Sequence, residues 1–239
     1  MIMKIKLMSY NTQHCLNYVT RKIDFDIMAD TIKRCEADII GFQEMRDQSQ
    51  DPAYEAQTKI IAEKLGYRYY YFAEAIRFGG ANPYGNALIS RYPILSAETI
   101  LIPNPEPKKY DGYYETRCLL KATIDVGSDL HVLVSHFGLN PDEQENAVRT
   151  VISHMPEHRC VLMGDFNMEP DNPILNPIMQ KLCDTAQYFS SPKLSFPSDT
   201  PRKKIDYIFV SKDIKVHCAD IPEIVSSDHR PHVVTIELE

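Results

Sequence analysis

The 239-residue sequence has no tryptophan and only nine glycines. It also has no apolar run near the roughly 18 residues of a membrane-spanning helix, so helical membrane insertion is excluded. The opening MIMKIKLMSYN lacks a charged stretch followed by a long apolar core, and no secretory leader is expected. Positive charge is in short supply: 26 Lys and Arg stand against 33 Asp and Glu, a net charge of -7. That balance excludes strong non-specific nucleic-acid binding through a broad basic face. It permits an enzyme that grips a few phosphates locally, with metal ions to offset the repulsion of an anionic substrate. No two of the six cysteines (Cys15, Cys35, Cys118, Cys160, Cys183, Cys218) form a CxxC pair. They read as free thiols in a reducing compartment, and the expected location is cytoplasmic. HExxH, GxSxG, the Walker P-loop and GxGxxG are all missing. The zinc-protease, serine-hydrolase, P-loop and dinucleotide-binding classes are therefore not indicated. Nothing in the sequence points to a protein partner.

What is present is an ordinary globular composition, 44% hydrophobic and 25% charged. One domain over residues 1–239 is expected. The 16 prolines gather at 103–107, 170–177 and 192–201, which read as loops. Short apolar runs at 5–10, 38–42, 67–72, 87–90, 118–126, 131–135, 160–163, 205–210 and 233–238 read as strands. Helical periodicity predicts a helix over 25–36 with Met28, Ile32 and Cys35 on one face. A second is predicted over 52–65, with Ala53, Ile60, Ile61 and Leu65 inward and Gly66 closing it. A third covers 140–155, capped by Asn140, with Pro141 in the first position and Glu143 completing a capping box. Its inward stripe is Gln144, Ala147, Val148, Val151, Ile152 and Met155, and a shorter helix follows Asn172–Pro173. Strands such as CVLM and HVLV are apolar on both faces, which requires cover on both sides. Two mixed sheets stacked face to face, with helices outside, meet that need: an α/β/β/α sandwich.

Polar residues stand just beyond these strands. Asn11 follows KLMSY, as a turn residue or a site residue, and Glu44 follows IIGFQ, where a carboxylate is solvated, paired or metal-bound. Arg117, in YYETRCLL, either pairs with Glu115 or clamps a phosphate, whose geometry the guanidinium matches. His136 ends LHVLVSH, as a structural histidine or a catalytic one. In GDFN, alternation puts Asp165 and Asn167 on the same side of an extended segment. Asp206 interrupts the apolar KKIDYIFV and needs a partner, for which a histidine is suited. SSDHRPHVV supplies Asp228 and His229 before the last strand, where a histidine can activate water while its neighbouring carboxylate holds a cation. The candidate metal ligands are oxygens, which argues for Mg²⁺ or Mn²⁺ rather than zinc.

In chain order, YN (Asn11), QE (Glu44), YGNALISRYPI (84–94), ETR (Arg117), SH (His136), GDFN (Asp165, Asn167), ID (Asp206) and SDH (Asp228, His229) resemble the endonuclease/exonuclease/phosphatase family. DNase I-like nucleases, abasic endonucleases, neutral sphingomyelinases and inositol-polyphosphate 5-phosphatases belong to that family. The likeness runs from residue 5 to 238 and rests on the order and spacing of the motifs. It implies a four-layer DNase I-like sandwich whose second half begins near His131. It also implies a metal-dependent phosphoester hydrolase. Glu44 is then the leading metal ligand, with Asp228 and Asn11 assisting. Asp206 orients His229 as the base, and Asp165 orients the water or binds metal. Arg117, Asn167 and His136 contact the phosphate, and His136 is alternatively the group that protonates the leaving oxygen.

The substrate is less legible. Abasic endonucleases of the family carry Trp-rich segments where this chain reads MSYNTQHC and PRKKIDYIF. Stacking would fall to tyrosines such as Tyr110, Tyr113 and Tyr114, while Tyr69 to Tyr71 read as strand packing. The segments 77–84 and 103–114 border the expected cleft. The basic triplet Arg202 to Lys204 either meets phosphates or lines a solvated edge, and His14 and Cys15 are candidate pocket residues. A phosphodiesterase of the nuclease type is the leading expectation. A small-molecule or lipid-headgroup phosphatase is the alternative, and a non-catalytic binding member the third.

Overall fold

Alternation along each strand decides which of three apolar layers its side chains enter. In the computed structural model, which describes residues 3–238, β1 (Met3–Asn11) sends Ile5 and Leu7 to one side and Met8 and Tyr10 to the other. The same division holds in β2 (Ile39–Arg46), β4 (Asn82–Ser90) and, against the opposite layer, β6 (Arg117–Asp125), β7 (Asp129–His136) and β8 (Cys160–Asp165). Among the described residues, twelve strands thus form two six-stranded mixed sheets, β11-β12-β1-β2-β4-β3 and β5-β6-β7-β8-β10-β9. The remaining strands are β3 (Tyr69–Phe78), β5 (Ile94–Ile102), β9 (Leu182–Asp184), β10 (Asp206–Ser211), β11 (Lys215–Asp220) and β12 (His232–Leu238). Residues such as Leu7, Ile39, Leu88, Leu120, Val134, Met163 and Ile208 fill the space between the sheets. Helices α1 (Phe25–Cys35) and α2 (Gln57–Leu65) cover the outer face of the first sheet. Helices α3 (Pro141–His154) and α4 (Asn176–Lys181) cover that of the second. This is the expected sandwich.

Each sheet contains one parallel pair, β1 with β2 and β7 with β8, joined through α1 and α3. The β7–α3–β8 unit repeats β1–α1–β2, in agreement with a second half beginning near His131. Parallel strands end at the same edge, and the ends of open α/β sheets are where ligands bind. Here β1, β7 and β8 end at Asn11, His136 and Asp165, and Glu44 stands two residues before the end of β2. One contact beneath them sets the spacing between the sheets. Gly41 of β2 has no room for a side chain, because a Cβ there would lie 2.6 Å from Met163 Sδ and 2.7 Å from Val134 Cγ2.

The helix signals held at α1, whose N-cap Asp24 accepts from Asp26 N and Ile27 N, and at α3, where Asn140 and Glu143 form the capping box. Gly66 closes α2 in the left-handed region at φ 72°. The helix start expected at 52 is corrected to Gln57. Asp51 accepts from Ala53 N and Tyr54 N, which folds 51–54 into a turn, and the Gln57 amide bridges Arg46 N and the His14 carbonyl. Ala53 is accordingly exposed.

Candidate active site

The end of β2 does not run straight. Its register with β4 shifts between Phe42 and Met45, and Glu44 takes a left-handed φ of 62° inside that bulge. Bulges re-aim side chains, and this one brings Glu44 toward the end of β1. There Asn11 Nδ2 donates to Glu44 Oε1 at 3.1 Å and to Asp165 Oδ2 at 3.0 Å, while its Oδ1 accepts from Gln13 N. Asn11 therefore cross-links the two sheets through their carboxylates, and in this conformation it presents a donor. The Tyr84 hydroxyl, at the start of β4, also hydrogen-bonds Glu44.

Asp165 is the hub on the second sheet. It pairs in register with His136 on one side and Asp206 on the other. Its Oδ1 accepts from Asn167 N, and its Oδ2 lies 3.6 Å from His136 Nε2 and 3.5 Å from His229 Nε2. Asn167 sits at φ 52°, which asparagine tolerates better than most residues. Its amide donates to the Phe137 carbonyl and stands 3.1 Å from His136 Nε2. Behind it, the Gln144 side chain of α3 donates to the Asn167 and Gly138 carbonyls.

His229 is reached from the opposite direction. Ser198 N and Oγ donate to the Asp228 and Ser227 carbonyls and fix the loop before β12. His229 Nδ1 then lies 2.8 Å from Asp206 Oδ2, with Phe196 against the ring at 4.7 Å. The second oxygen, Asp206 Oδ1, is buried with no partner among the described residues. Arg117, at the start of β6, forms an ion pair with Glu115 Oε1 at 2.5 Å and a hydrogen bond with His136 Nδ1 at 3.2 Å through the same nitrogen, Nη1.

These surroundings set opposite protonation states for the two histidines. Burial, then the positive charges of Arg117 and His229, hold His136 well below its ordinary range, so it is neutral. Burial also disfavours the charged form of His229, but the carboxylates of Asp206, Asp165 and Asp228 outweigh it and raise its affinity for a proton. Burial raises Asp165, with the Asp206 charge adding to the effect, and it raises Asp228, to which Glu44 contributes.

All nine expected site residues thus lie at one end of the sandwich, joined by this network or by the neighbouring charges of Glu44 and Asp228. Asp165, Asp206 and His229 also offer ligand atoms within 4.8 Å of one another. With Glu115 neutralising Arg117, the carboxylates of Glu44, Asp165, Asp206 and Asp228 face one cationic histidine. Such an excess of hard oxygen donors fits a divalent cation of the magnesium type.

The remaining candidates divide between the margin of the site and places away from it. Cys15 is fully buried in the apolar layer it shares with α1, whereas His14 is half-buried, its backbone N–H donating to the Glu44 carbonyl. Gln13, His14 and Cys15 all have positive φ. Lys204 of the basic triplet is buried, paired with Asp184 at 3.1 Å and lying over the Tyr207 ring. The Tyr71 hydroxyl meets Thr99 across the sheets, as strand packing requires. The 103–114 segment does reach the site, through the Tyr113 hydroxyl near Glu115 Oε2. No role beyond ion pairing for Glu115, and none for Tyr84, was legible in the residues alone. Their signals were present in YGN and ETR, but only the fold sets both beside Glu44.

The profile of the endonuclease/exonuclease/phosphatase family matches residues 8–229. The chain belongs to this family. Solved structures of similar shape include a family protein from Leptotrichia buccalis, 24% identical with a TM-score of 0.76, covering 98% of this chain and 100% of that one. A mannosyl-6-phosphatase from Bacteroides thetaiotaomicron is 17% identical with a TM-score of 0.76, covering 97% of this chain and 99% of that one. ANGEL2, a 2',3'-cyclic phosphatase, is 18% identical with a TM-score of 0.73, covering 100% of this chain and 96% of that one. At these identities the likeness establishes the DNase I-like fold. No curated protein matches the chain. Family membership makes the chain a phosphoester hydrolase by class, and no helix among the described residues is long and apolar enough to cross a membrane.

Proposed function

We propose that the chain is a divalent-cation-dependent hydrolase of phosphodiesters, working as one domain in the cytoplasm, where its six cysteines remain thiols. The observation that carries this reading is the convergence, around Asp165, of the Asp206–His229 pair and the Arg117–His136–Asn167 group. The first suits a water molecule and the second a phosphoryl group. Glu44 and Asp228 would hold the cation, with Asn11 orienting Glu44. When bound, a Mg²⁺ or Mn²⁺ ion supplies Lewis-acid polarisation of a phosphoryl oxygen and offsets the carboxylate field around His229.

The protein's own groups do the rest. Asp206 fixes the His229 ring through Nδ1, so once a bound cation offsets the surrounding carboxylates and the ring is neutral, Nε2 is the atom that would take a proton from the attacking water. Asp165 Oδ2, beside that atom, orients the water. Arg117 and the Asn167 amide stabilise the charge that develops on the phosphoryl oxygens. His136, neutral at ordinary pH, serves as a hydrogen-bonding contact to the phosphoryl group rather than as the acid for the leaving oxygen.

A phosphomonoester reading is favoured by one observation. The cavity of about 460 Å³ beside Asn167 is lined by Glu169, Asp171 and a single lysine, Lys203, a poor continuation for a polyanion. Hydrolysis of bis-p-nitrophenyl phosphate and p-nitrophenyl phosphate, each with Mg²⁺, Mn²⁺ or EDTA, separates the two. Metal-dependent cleavage of the diester alone is expected. Preference for the monoester would replace the diester reading, and inertness toward both would remove the catalytic one. Glu44→Gln should weaken Mg²⁺ affinity at least about tenfold, the scale of losses at metal-supporting residues, and activity with it. Unchanged metal binding would cancel the role given to Glu44.

A further inference from the structure

Arg117 makes its polar contacts unevenly. One nitrogen, Nη1, carries both observed contacts, to Glu115 Oε1 at 2.5 Å and to His136 Nδ1 at 3.2 Å. Nε is buried and has no partner among the described residues. A buried N–H without an acceptor is costly, and the Nε–Nη2 edge of a guanidinium is one of the faces that bind an oxyanion through two parallel bonds. Arg117 is only 11% exposed, so bulk solvent does not readily substitute for that acceptor.

Glu115 is what turns the guanidinium this way. It stands two residues before Arg117, so on an extended chain both side chains leave the same face. Its own position is fixed by two hydrogen bonds and by burial. Its backbone N–H donates to Glu143 Oε1 of the α3 capping box, its Oε2 accepts from the Tyr113 hydroxyl at 3.4 Å, and its side chain is 9% exposed. With Oε2 turned to Tyr113, Glu115 engages Arg117 through Oε1 alone, and the guanidinium is gripped at one corner.

We propose that Glu115 is a positioning residue, holding Arg117 by Nη1 so that its Nε edge is presented to an oxyanion of the substrate. This rests on the phosphoester reading above, but its consequence for anion binding is separable from turnover. The test uses orthophosphate and orthovanadate as probes, titrated by calorimetry into the full-length wild type and the variants Glu115→Ala, Glu115→Gln and Arg117→Ala, with Mg²⁺ present. Glu115→Ala should weaken both anions about 10- to 100-fold and raise KM more than it lowers kcat. Glu115→Gln keeps an acceptor for Nη1 and should lose less than about fivefold. In the double variant Glu115→Ala/Arg117→Ala the losses should not add, because both substitutions remove the same contact. Mg²⁺ affinity should not move. Anion affinity within twofold of wild type in folded Glu115→Ala overturns the proposal, and so does a loss of Mg²⁺ affinity without loss of anion affinity. If wild type binds anions in a Glu115-dependent way yet cleaves no ester, the catalytic reading falls and this one stands.

Discussion

His229 and His136 lie on either side of one carboxylate and differ in charge, the first cationic and the second neutral. The difference comes from their neighbours: His136 faces Arg117, whereas His229 faces Asp206, Asp165 and Asp228. The same side chain is thereby made a phosphate contact in one place and a proton carrier in the other. His229→Ala should lower turnover by about 10²–10⁴-fold, the span of a lost general base, while its circular dichroism spectrum stays that of wild type. Turnover near wild type would cancel the base assignment. The residue scale was the most legible from the sequence. A buried carboxylate such as Asp206 within an apolar strand demands a partner, and its partner is the histidine of SDH. Asn11 was less legible. Its residue type allows a ligand oxygen or a donor, and only the bond from Gln13 N to Oδ1 turns the amide nitrogen toward Glu44 and Asp165.

At the scale of elements, the strands foreseen and those overlooked differ in position. Three strands had no clear apolar signal: β5, β9 and β11. Each is an edge of its sheet, open along one side, so its sequence alternates weakly or mixes polar residues, as in ILSAETILI and KVHCAD. Central strands such as CVLMGD are buried throughout and announced themselves. The bulges left no periodic trace, yet they aim Glu44. Gly85 pairs with Met45 across the bulge of β2 and with Glu74 beside a second bulge in β3. A Cβ at Gly85 would lie 2.0 Å from the Ala73 carbonyl oxygen, an atom of the rigid sheet backbone. Gly85→Ala should therefore separate β3 from β4 locally and destabilise the protein by about 3 kcal/mol or more, the scale of severe steric insertion. Urea unfolding would measure it, and a loss below 1 kcal/mol would contradict the packing described.

The whole molecule carries a second buried histidine network behind the site, and its consequence is global. His232 is fully buried, with Nε2 3.1 Å from the Thr185 hydroxyl and Phe189 against the ring. Burial, then the Lys204 charge, lowers its pKa to about 3 from an ordinary 6.5. The unfolded chain therefore takes up a proton between those values that the folded one refuses. The resulting stability is complete above pH 6.5 and is lost as pH falls toward 3, by up to about 1.4 kcal/mol per pH unit. His232→Gln should flatten the stability profile over that window relative to wild type, and parallel profiles would refute the neutral assignment. Gly41 links this global scale to the chemistry. It touches Met163 and Val134, and two residues further along those strands lie Asp165 and His136. The missing side chain acts as a shim of zero thickness, and the cleft as a gauge that reads the gap it leaves. A methyl group inserted by Gly41→Ala would widen that gap where Asn11 bridges Glu44 to Asp165. The variant should lose activity at temperatures where its far-ultraviolet spectrum is still native, whereas in wild type the two transitions should coincide. Catalytic rate would then report the distance between two sheets at a point that no substrate touches.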